Sequence, residues 1–287
     1  MSSLGHNGRN GNIFYQLNLL LYISDNYNYQ ILFSEEQINL LKKFCLLNFE
    51  LIKNTRFIDY YENEEFGDNK LEIFLKKNQL NLNIHGYFQN FKYLNHKYLK
   101  TMFNFDKYSH LNNNILKFNS IVVGIHIRLG DYISKYKDIF NSVVNWELDP
   151  NKIISNIMNI YINKFNNVKF LVFSDEIELC QKIITIDNLN YNLLKNDAYD
   201  DMFMLSKCNH FILTNSSFGY WSYLLNIIRD NDIDNTYCFF PDKFFMNQSR
   251  YGKYNKKIIN SYFRKKMNVF LYSTNSLDIN HVSKVIS

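Results

Sequence analysis

From residue 121 onward the chain alternates short, β-branched apolar runs with longer stretches of helical periodicity, and no other feature restricts its fold as much. The pattern predicts strands at 121–127, 168–174, 210–214 and 236–240, with helices near 150–164, 176–185, 200–207 and 217–228. Strands that alternate with helices argue for a parallel, Rossmann-like sheet and hence an α/β fold. The region before residue 120 reads as mostly helical. A polar loop, Gly8-Arg9-Asn10-Gly11-Asn12, leads into a helix at 13–24, and a second helix is expected over 34–49. Residues 54–69 read as an acidic loop, and 83–90 as a short strand turning into a helix at 91–98. The polar, Asn-rich stretch 107–118 is the expected boundary, giving lobes at 1–118 and 119–287. A helix-like piece covers 262–271, and no internal repeat is evident.

The first of these strands ends in an unusual way. Val123-Gly124-Ile125-His126-Ile127 passes directly into Arg128-Leu129-Gly130-Asp131-Tyr132, a basic, flexible and acidic cluster with no packing use in a buried strand. Strand alternation puts His126 and Arg128 on one face while Ile125 and Ile127 enter the packing on the other. A guanidinium at a strand end can grip two phosphate oxygens and stays charged at any physiological pH. In isolation Arg128 would read as a surface ion pair; beside His126, Gly130 and Asp131 it reads as a ligand contact. Gly130 reads as a turn that leaves room for a ligand, and Asp131 supplies a carboxylate able to accept a proton.

Two later strand ends carry polar groups. Asn215-Ser216-Ser217-Phe218 follows a strand and opens a helix, so it is either an anion cradle or an ordinary helix cap. Asp175, after the strand 168–174, either contacts a nucleobase or ribose or caps the next helix. His85, at a strand end of the first lobe, reads as structural or as an acceptor contact, whereas His210, Tyr220 and Trp221 read as core.

Composition bounds the function classes. Lys and Arg exceed Asp and Glu by 32 − 27 = 5, which suits a nucleotide diphosphate but falls short of a nucleic-acid-binding footprint. The 22 Tyr and 25 Phe, with abundant Asn, Lys and Ile and only 2 Pro, look like the codon bias of an AT-rich genome, so single aromatics are discounted as site signals. Cys45, Cys180, Cys208 and Cys238 show no metal-ligand spacing and read as reduced thiols. No apolar run approaches the ~20 residues of a membrane span. The start, Met1 to Gly8, carries neither a secretory nor an anchoring pattern. The expected location is cytoplasmic, compatible with peripheral attachment to a membrane.

These segments together resemble the α1,2-fucosyltransferases of glycosyltransferase family 11. Gly8-Arg9-Asn10-Gly11-Asn12-Ile13-Phe14-Tyr15-Gln16 is similar to the family's Gly-x-x-Gly-Asn-x-x-Phe-Gln start, with Tyr15 in place of Phe. Gly86-Tyr87-Phe88-Gln89 matches a Gly-Tyr-Phe-Gln segment, and His126 to Tyr132 completes the His-x-Arg-x-Gly-Asp-Tyr signature. Phe173-Ser174-Asp175 follows, then a long match from Asp201 through Cys208, His210 and Asn215 to Phe218, and a late one from Pro241 to Phe244. Six elements in the same order are specific where one would be weak. Three departures stand out. Leu129 replaces the second of the family's paired arginines. Gly219-Tyr220 replaces Ser-Trp. Residues 1–7 are too short and polar to form the strand that normally precedes the Gly-rich loop.

The resemblance implies a GT-B-like fold of two Rossmann-like lobes, the first strand of the amino-terminal lobe missing. It implies transfer of L-fucose from GDP-fucose to a glycan hydroxyl, in α1,2 linkage and with inversion, without a metal or other cofactor. Catalytic roles are then expected for Arg128, Asp131 and His126. Donor contacts are expected from Arg128, Asp175, Asn215, Ser216, Ser217, Phe218, Gly11 and Asn12, and acceptor contacts from His85, Tyr87 and Gln89. The alternatives are a transferase for another GDP-sugar and a non-catalytic sugar- or nucleotide-binding protein of the same fold.

Overall fold

The computed structural model describes residues 4, 10–52, 56–62, 70–77, 81–94, 96–112, 119–136, 138–139, 153–184, 191–194, 196–230, 234–245, 249, 252–256, 259, 267–272 and 283–284. The chain divides into two compact units, Met1–Lys107 and Tyr108–Ser287.

Unit 1 is organised by helix α1 (Asn10–Tyr27), which is buried along most of its length. Its apolar residues include Phe14, whose ring lies 4.8 Å from Phe44 and 6.2 Å from Phe103. Two of its buried amides donate to the rest of the unit: Gln16 Nε2 to Gly86 O at 2.8 Å and Asn18 Nδ2 to Tyr93 O at 2.6 Å. A helix buried this completely is a core element, so periodicity alone understates its role. Strand β1 (Leu32–Phe33) leads into α2 (Glu35–Leu41), which starts on a reciprocal capping box between Ser34 and Gln37. β2 (Glu50–Leu51) pairs with β1 in parallel. β3 (Ile58–Tyr61), α3 (Lys70–Lys77) and β4 (Leu82–His85) form a second parallel pair, β3 against β4. A 3-10 turn (Phe91–Tyr93) and α4 (His96–Leu99) follow.

Three expectations are corrected here. The helix expected over 34–49 stops at Leu41, because the backbone beyond finds tertiary partners: Leu46 N–H donates to Thr101 O at 3.0 Å and Asn104 N–H to Phe44 O at 2.6 Å. The acidic stretch 54–69 contains strand β3, and the helix at 91–98 is a 3-10 turn and one short helix. Unit 1 shows two separate strand pairs among its described residues, so the Rossmann-like sheet lies in unit 2.

A 3-10 stretch, Asp106–Leu111, crosses the division. Unit 2 then runs β5 (Ile121–Ile127), α5 (Gly130–Ser134), α6 (Ile153–Lys164), β6 (Val168–Ser174), α7 (Ile177–Ile183) and β7 (Tyr191–Leu194). It continues with α8 (Ala198–Ser206), β8 (His210–Leu213), α9 (Ser217–Asp230), β9 (Tyr237–Pro241), a 3-10 turn (Gly252–Tyr254), β10 (Asn268–Tyr272) and β11 (Ser283–Lys284). The strands form one sheet in the order β11-β10-β9-β8-β5-β6-β7, parallel except for β11. The helix-like reading of 262–271 is therefore wrong at its end, where Asn268–Tyr272 pairs in register with β9. Residues 261–266 lie outside the described residues. Gly130, expected as a turn, instead opens α5, and β7 is an additional strand.

β5 is an interior strand of the sheet and is buried on both faces. Val123, Ile125, Ile127 and Leu129 join a core with Ile154, Ile157 and Met158 of α6 and Cys180 of α7. On the opposite face Gly124 admits α8, since a Cβ there would lie 2.4 Å from Leu205 Cδ1 and 2.9 Å from Cys208 Sγ. Chain order runs outward from β5 in both directions, through β6 and β7 on one side and through β8, β9 and β10 on the other. In open parallel sheets such a reversal leaves a crevice at the strand carboxyl ends where ligands bind.

The fold carries a direct test. Gly124→Ala should destabilise the protein by about 1–3 kcal/mol through overpacking against Leu205 and Cys208, read as a lower denaturant midpoint with an unchanged m-value; wild-type stability would mean that α8 can retreat.

Candidate functional site

The crevice between β5 and β8 gathers the polar residues that follow both strands. Arg128 is the first residue past β5, and its backbone N–H donates to Thr214 Oγ1, the first residue past β8, at 2.9 Å. Thr214 N–H returns a bond to His126 O at 3.0 Å, so the parallel ladder continues beyond the last β8 residue. The Arg128 side chain, 11% exposed, is fixed by two carboxylates. Nη1 contacts Asp175 Oδ2 at 2.7 Å, and Nη2 pairs with Asp131 Oδ1. Asp175 bonds the strand end twice, because its other oxygen accepts the Leu129 N–H at 2.9 Å. The guanidinium also lies 5.3 Å from the Tyr132 ring centre, and the Tyr132 hydroxyl donates to Asn215 O at 3.1 Å.

This frame gives Asp175 a use that neither sequence alternative named. It is not the side-chain cap of α7, whose N-cap is Glu176 with no side-chain bond; it orients Arg128. Two of the five guanidinium N–H groups serve these pairs. A rigidly aimed cation at a strand end is a preorganised contact for a developing anion.

His126 is enclosed. It is 5% exposed, its ring stacks on Phe218 at 5.0 Å, and a Cβ on residue 219 would come within 3.1 Å of Nδ1. Gly219, the residue that departs from the family pattern, is therefore what leaves space for the imidazole. Burial lowers the His126 pKa to about 4; Asp175 opposes that shift and Arg128 reinforces it. His126 is consequently neutral near pH 7, able to orient a group but not to supply a charge. Its Nδ1 has no hydrogen-bond partner among the described residues.

Asn215 is buried, its Nδ2 donating to Phe244 O at 2.8 Å, while Oδ1 has no partner among the described residues. Ser216 Oγ accepts the Phe218 N–H at 3.3 Å, so the helix-cap reading holds for that hydroxyl. Ser217 opens α9. Leu129 points away from Arg128 into the core and is fully buried, so the backbone there directs position 129 away from the crevice.

The residues expected in unit 1 meet different partners. Gly11 and Asn12 belong to the first turn of α1, not to a loop, because the helix starts at Asn10; Gly8 and Arg9 lie outside the described residues. Asn12 Oδ1 accepts from Gln89 Nε2 at 2.6 Å, joining one expected donor residue to one expected acceptor residue. His85 Nε2 pairs with Asp59 Oδ1 at 2.8 Å and its ring stacks on Tyr61 at 4.4 Å; Tyr87 is exposed. Sequence reasoning missed Glu62, whose carboxylate accepts the backbone N–H groups of Tyr87 at 2.7 Å and Phe88 at 3.0 Å. That bond holds a turn with Gly86 at φ +152° and Phe88 at φ +49°, and burial raises the Glu62 pKa. It also missed Thr214 and the Tyr132 hydroxyl, each a polar group inside a recognised motif whose partner only the fold supplies.

The family model for glycosyl transferase family 11 matches residues 23–257. The chain belongs to glycosyltransferase family 11. Among similar proteins, the galactoside 2-alpha-L-fucosyltransferase Sec1 of Mus musculus is 26% identical over 125 residues, 39% of this chain and 33% of that protein. The alpha-1,2-colitosyltransferase of Escherichia coli is 32% identical over 104 residues, 34% of each chain. The O-antigen biosynthesis glycosyltransferase WbnK of Escherichia coli is 27% identical over 126 residues, 42% of this chain and 40% of that protein. The matched segments thus span a third to two fifths of these relatives. The match to family 11 includes the whole β5–β8 crevice, whereas the Gly-rich segment 8–16 precedes it. No helix among the described residues is long and apolar enough to cross a membrane.

The His126 environment fixes a pH dependence. With a folded pKa near 4 and an ordinary value near 6.5, the unfolded chain binds the extra proton first, so stability is full above about pH 6.5 and falls as pH drops toward 4. His126→Phe should flatten that part of the stability profile. The imidazole resonances of His126 should not titrate between pH 8 and 5.5; a midpoint near 6.5 would contradict the burial.

Proposed function

We propose that this family 11 chain transfers L-fucose from GDP-fucose to a hydroxyl of a glycan acceptor, forming an α1,2 linkage with inversion at the anomeric carbon. The observation that carries the reading is Arg128, aimed by Asp175 and Asp131 at the carboxyl end of β5 where the sheet order reverses. The Mus musculus relative is named for fucosyl transfer to a galactoside, which supports the donor and linkage. Residues 119–287 would bind the donor and 1–118 the acceptor, as two lobes of a GT-B arrangement.

In this mechanism the acceptor oxygen attacks the anomeric carbon from the face opposite the leaving group. The bond from that carbon to the β-phosphate oxygen breaks, and its electron pair departs with GDP. Arg128 stabilises the charge that develops on the phosphate, so a resident metal is not needed for that task. Positive charge on the sugar is relieved as the new bond forms, and a base takes the acceptor proton. Asp131 is the carboxylate proposed for that step; it must first release the Arg128 Nη2 that holds it. Incoming phosphate oxygens offer the guanidinium a replacement partner. Neutral His126, together with Asn215, Ser216, Ser217 and Phe218, lines the donor end. Gly11 and Asn12 are assigned to the donor, and His85, Tyr87 and Gln89 to the acceptor.

A second reading, transfer of a colitosyl group, is favoured by the 32% identity to the Escherichia coli colitosyltransferase. Turnover of GDP-fucose against a colitosyl donor and GDP-mannose separates these readings. Preference for GDP-fucose is expected, and equal use of GDP-mannose would defeat the fucosyl assignment. Arg128→Ala should reduce transfer about 10²–10³-fold, with Arg128→Lys recovering part of the loss because a point charge replaces a fork. Undiminished transfer by a folded Arg128→Ala protein would remove Arg128 from the chemistry.

A further inference from the structure

Strands β3 and β4 end side by side in unit 1, and Glu62 is the first residue past β3. Its N–H donates to His85 O at 2.7 Å, which carries the parallel ladder one step beyond the Tyr61–His85 pair and fixes the backbone of residue 62. The side chain turns to the segment Gly86-Tyr87-Phe88-Gln89, which leaves β4. Oε2 accepts the Tyr87 N–H at 2.7 Å and the Phe88 N–H at 3.0 Å, and Oε1 accepts the Phe88 N–H at 3.1 Å. Two consecutive backbone N–H groups therefore converge on one carboxylate, and bonds to an ionised acceptor are stronger than those between neutral groups. Among the described residues Glu62 has no Lys or Arg partner, so these N–H groups are what offsets its charge.

The segment depends on that anchor. Phe88 adopts φ +49°, a left-handed conformation that is costly for a residue with a side chain, and Gly86 adopts φ +152°, which glycine alone reaches readily. Without the carboxylate, two N–H groups would lose their acceptor and nothing would hold the backbone against relaxing to an ordinary conformation. Gly86 also admits Glu62, since a Cβ there would lie 2.4 Å from Glu62 Cβ and 2.6 Å from Oε2. The two ends of the segment are tied to α1, through Gln16 Nε2 to Gly86 O at 2.8 Å and Gln89 Nε2 to Asn12 Oδ1 at 2.6 Å. Glu62 holds the middle, where Tyr87 is exposed and Phe88 is buried. The backbone turn decides which of these two neighbours faces outward.

We propose that Glu62 is a positioning residue for the acceptor: by fixing the turn at 86–89 it sets where Tyr87 and Gln89 stand, and through them the affinity for the acceptor sugar. This role rests on the assignment of Tyr87 and Gln89 to the acceptor. Glu62 takes no part in the bond changes; its carboxylate is used up in holding backbone. The arrangement answers a requirement of glycosyl transfer, because an acceptor hydroxyl displaced by a small distance loses much of the rate that correct placement confers.

The test is steady-state transfer from GDP-fucose to lactose, a galactoside probe, by the full-length protein, with the Kd for GDP measured by calorimetry. Glu62→Ala should lower kcat/KM for lactose about tenfold, mostly through KM, and leave the Kd for GDP at the wild-type value. Glu62→Gln should recover part of the loss, because an amide oxygen can take the place of Oε2 and accept both N–H groups without the charge. Glu62→Asp keeps the charge but withdraws the oxygens by one methylene, so it should show the acceptor defect even if the alanine variant fails to fold. Wild-type lactose kinetics in a folded Glu62→Asp or Glu62→Ala protein, whatever its denaturant midpoint, would make Glu62 purely structural and overturn the proposal. Tyr87→Ala and Gln89→Ala separate this role from the reading beneath it. If both leave lactose kinetics unchanged, the acceptor assignment fails and takes the role of Glu62 with it; if they impair lactose use and the Glu62 variants do not, only the role of Glu62 falls. A wild type that neither binds nor fucosylates lactose defeats the galactoside acceptor and this role together.

Discussion

The pairing of β5 with β6 on one side and with β8 on the other supports everything else in unit 2. Seven residues of β5 lie in register with β6, and four with β8, so β5 is hydrogen-bonded along both edges and packed on both faces. A strand enclosed in this way must exclude charge along its length, which neutral His126 respects, and must place its first charged residue at its end. The chain does so within one step, from Ile127 to Arg128. Because the chain order reverses at β5, the loops after β5 and β8 diverge, and the space between them is where Arg128, Thr214 and Asn215 meet.

Burial sets the electrostatics of that space. Arg128 is largely shielded from water, and a lone guanidinium there would be costly, yet Asp131 and Asp175 balance it. Asp175 is anchored by the Leu129 N–H, so its position is tied to the backbone of β5 itself. The same shielding removes the charge from His126, which sits beneath Phe218 against Gly219. Two residues spaced by one position in the sequence thus end in opposite protonation states: the guanidinium keeps its charge through paired carboxylates, and the imidazole has none within bonding reach of Nδ1.

Much of this was legible in the sequence, for identifiable reasons. The four strands expected after residue 121 exist because β-branched apolar runs bounded by polar turns have few other uses, and the helices between them follow from their periodicity. Arg128, Asp131 and Asp175 were visible as polar residues at strand ends. Unit 1 was less legible. The helix expected to run to residue 49 ends at Leu41 because tertiary hydrogen bonds to Thr101 and Asn104 compete with it, and neither partner is near in sequence. The Gly-rich segment read as a loop because Gly11 and Asn12 are poor helix formers, whereas burial of Phe14 and Leu17 and the Asn12–Gln89 bond favour helix from Asn10. Residues 268–271 read as helix-like, yet they form a strand because β9 offers an edge to pair with.

The sequence by itself determined the parallel α/β class of unit 2, the residue types at the strand ends and the family 11 pattern, since local periodicity and short motifs encode all three. Tertiary structure decided how those residues are used. It made Asp175 a partner of Arg128 instead of a helix cap, turned Leu129 into the core and left His126 neutral. These uses follow from the Arg128–Asp175 pair, the core around Leu129 and the burial of His126. These outcomes depend on which strands become neighbours and on how much water is excluded between them, and both are set by contacts between residues far apart in the chain.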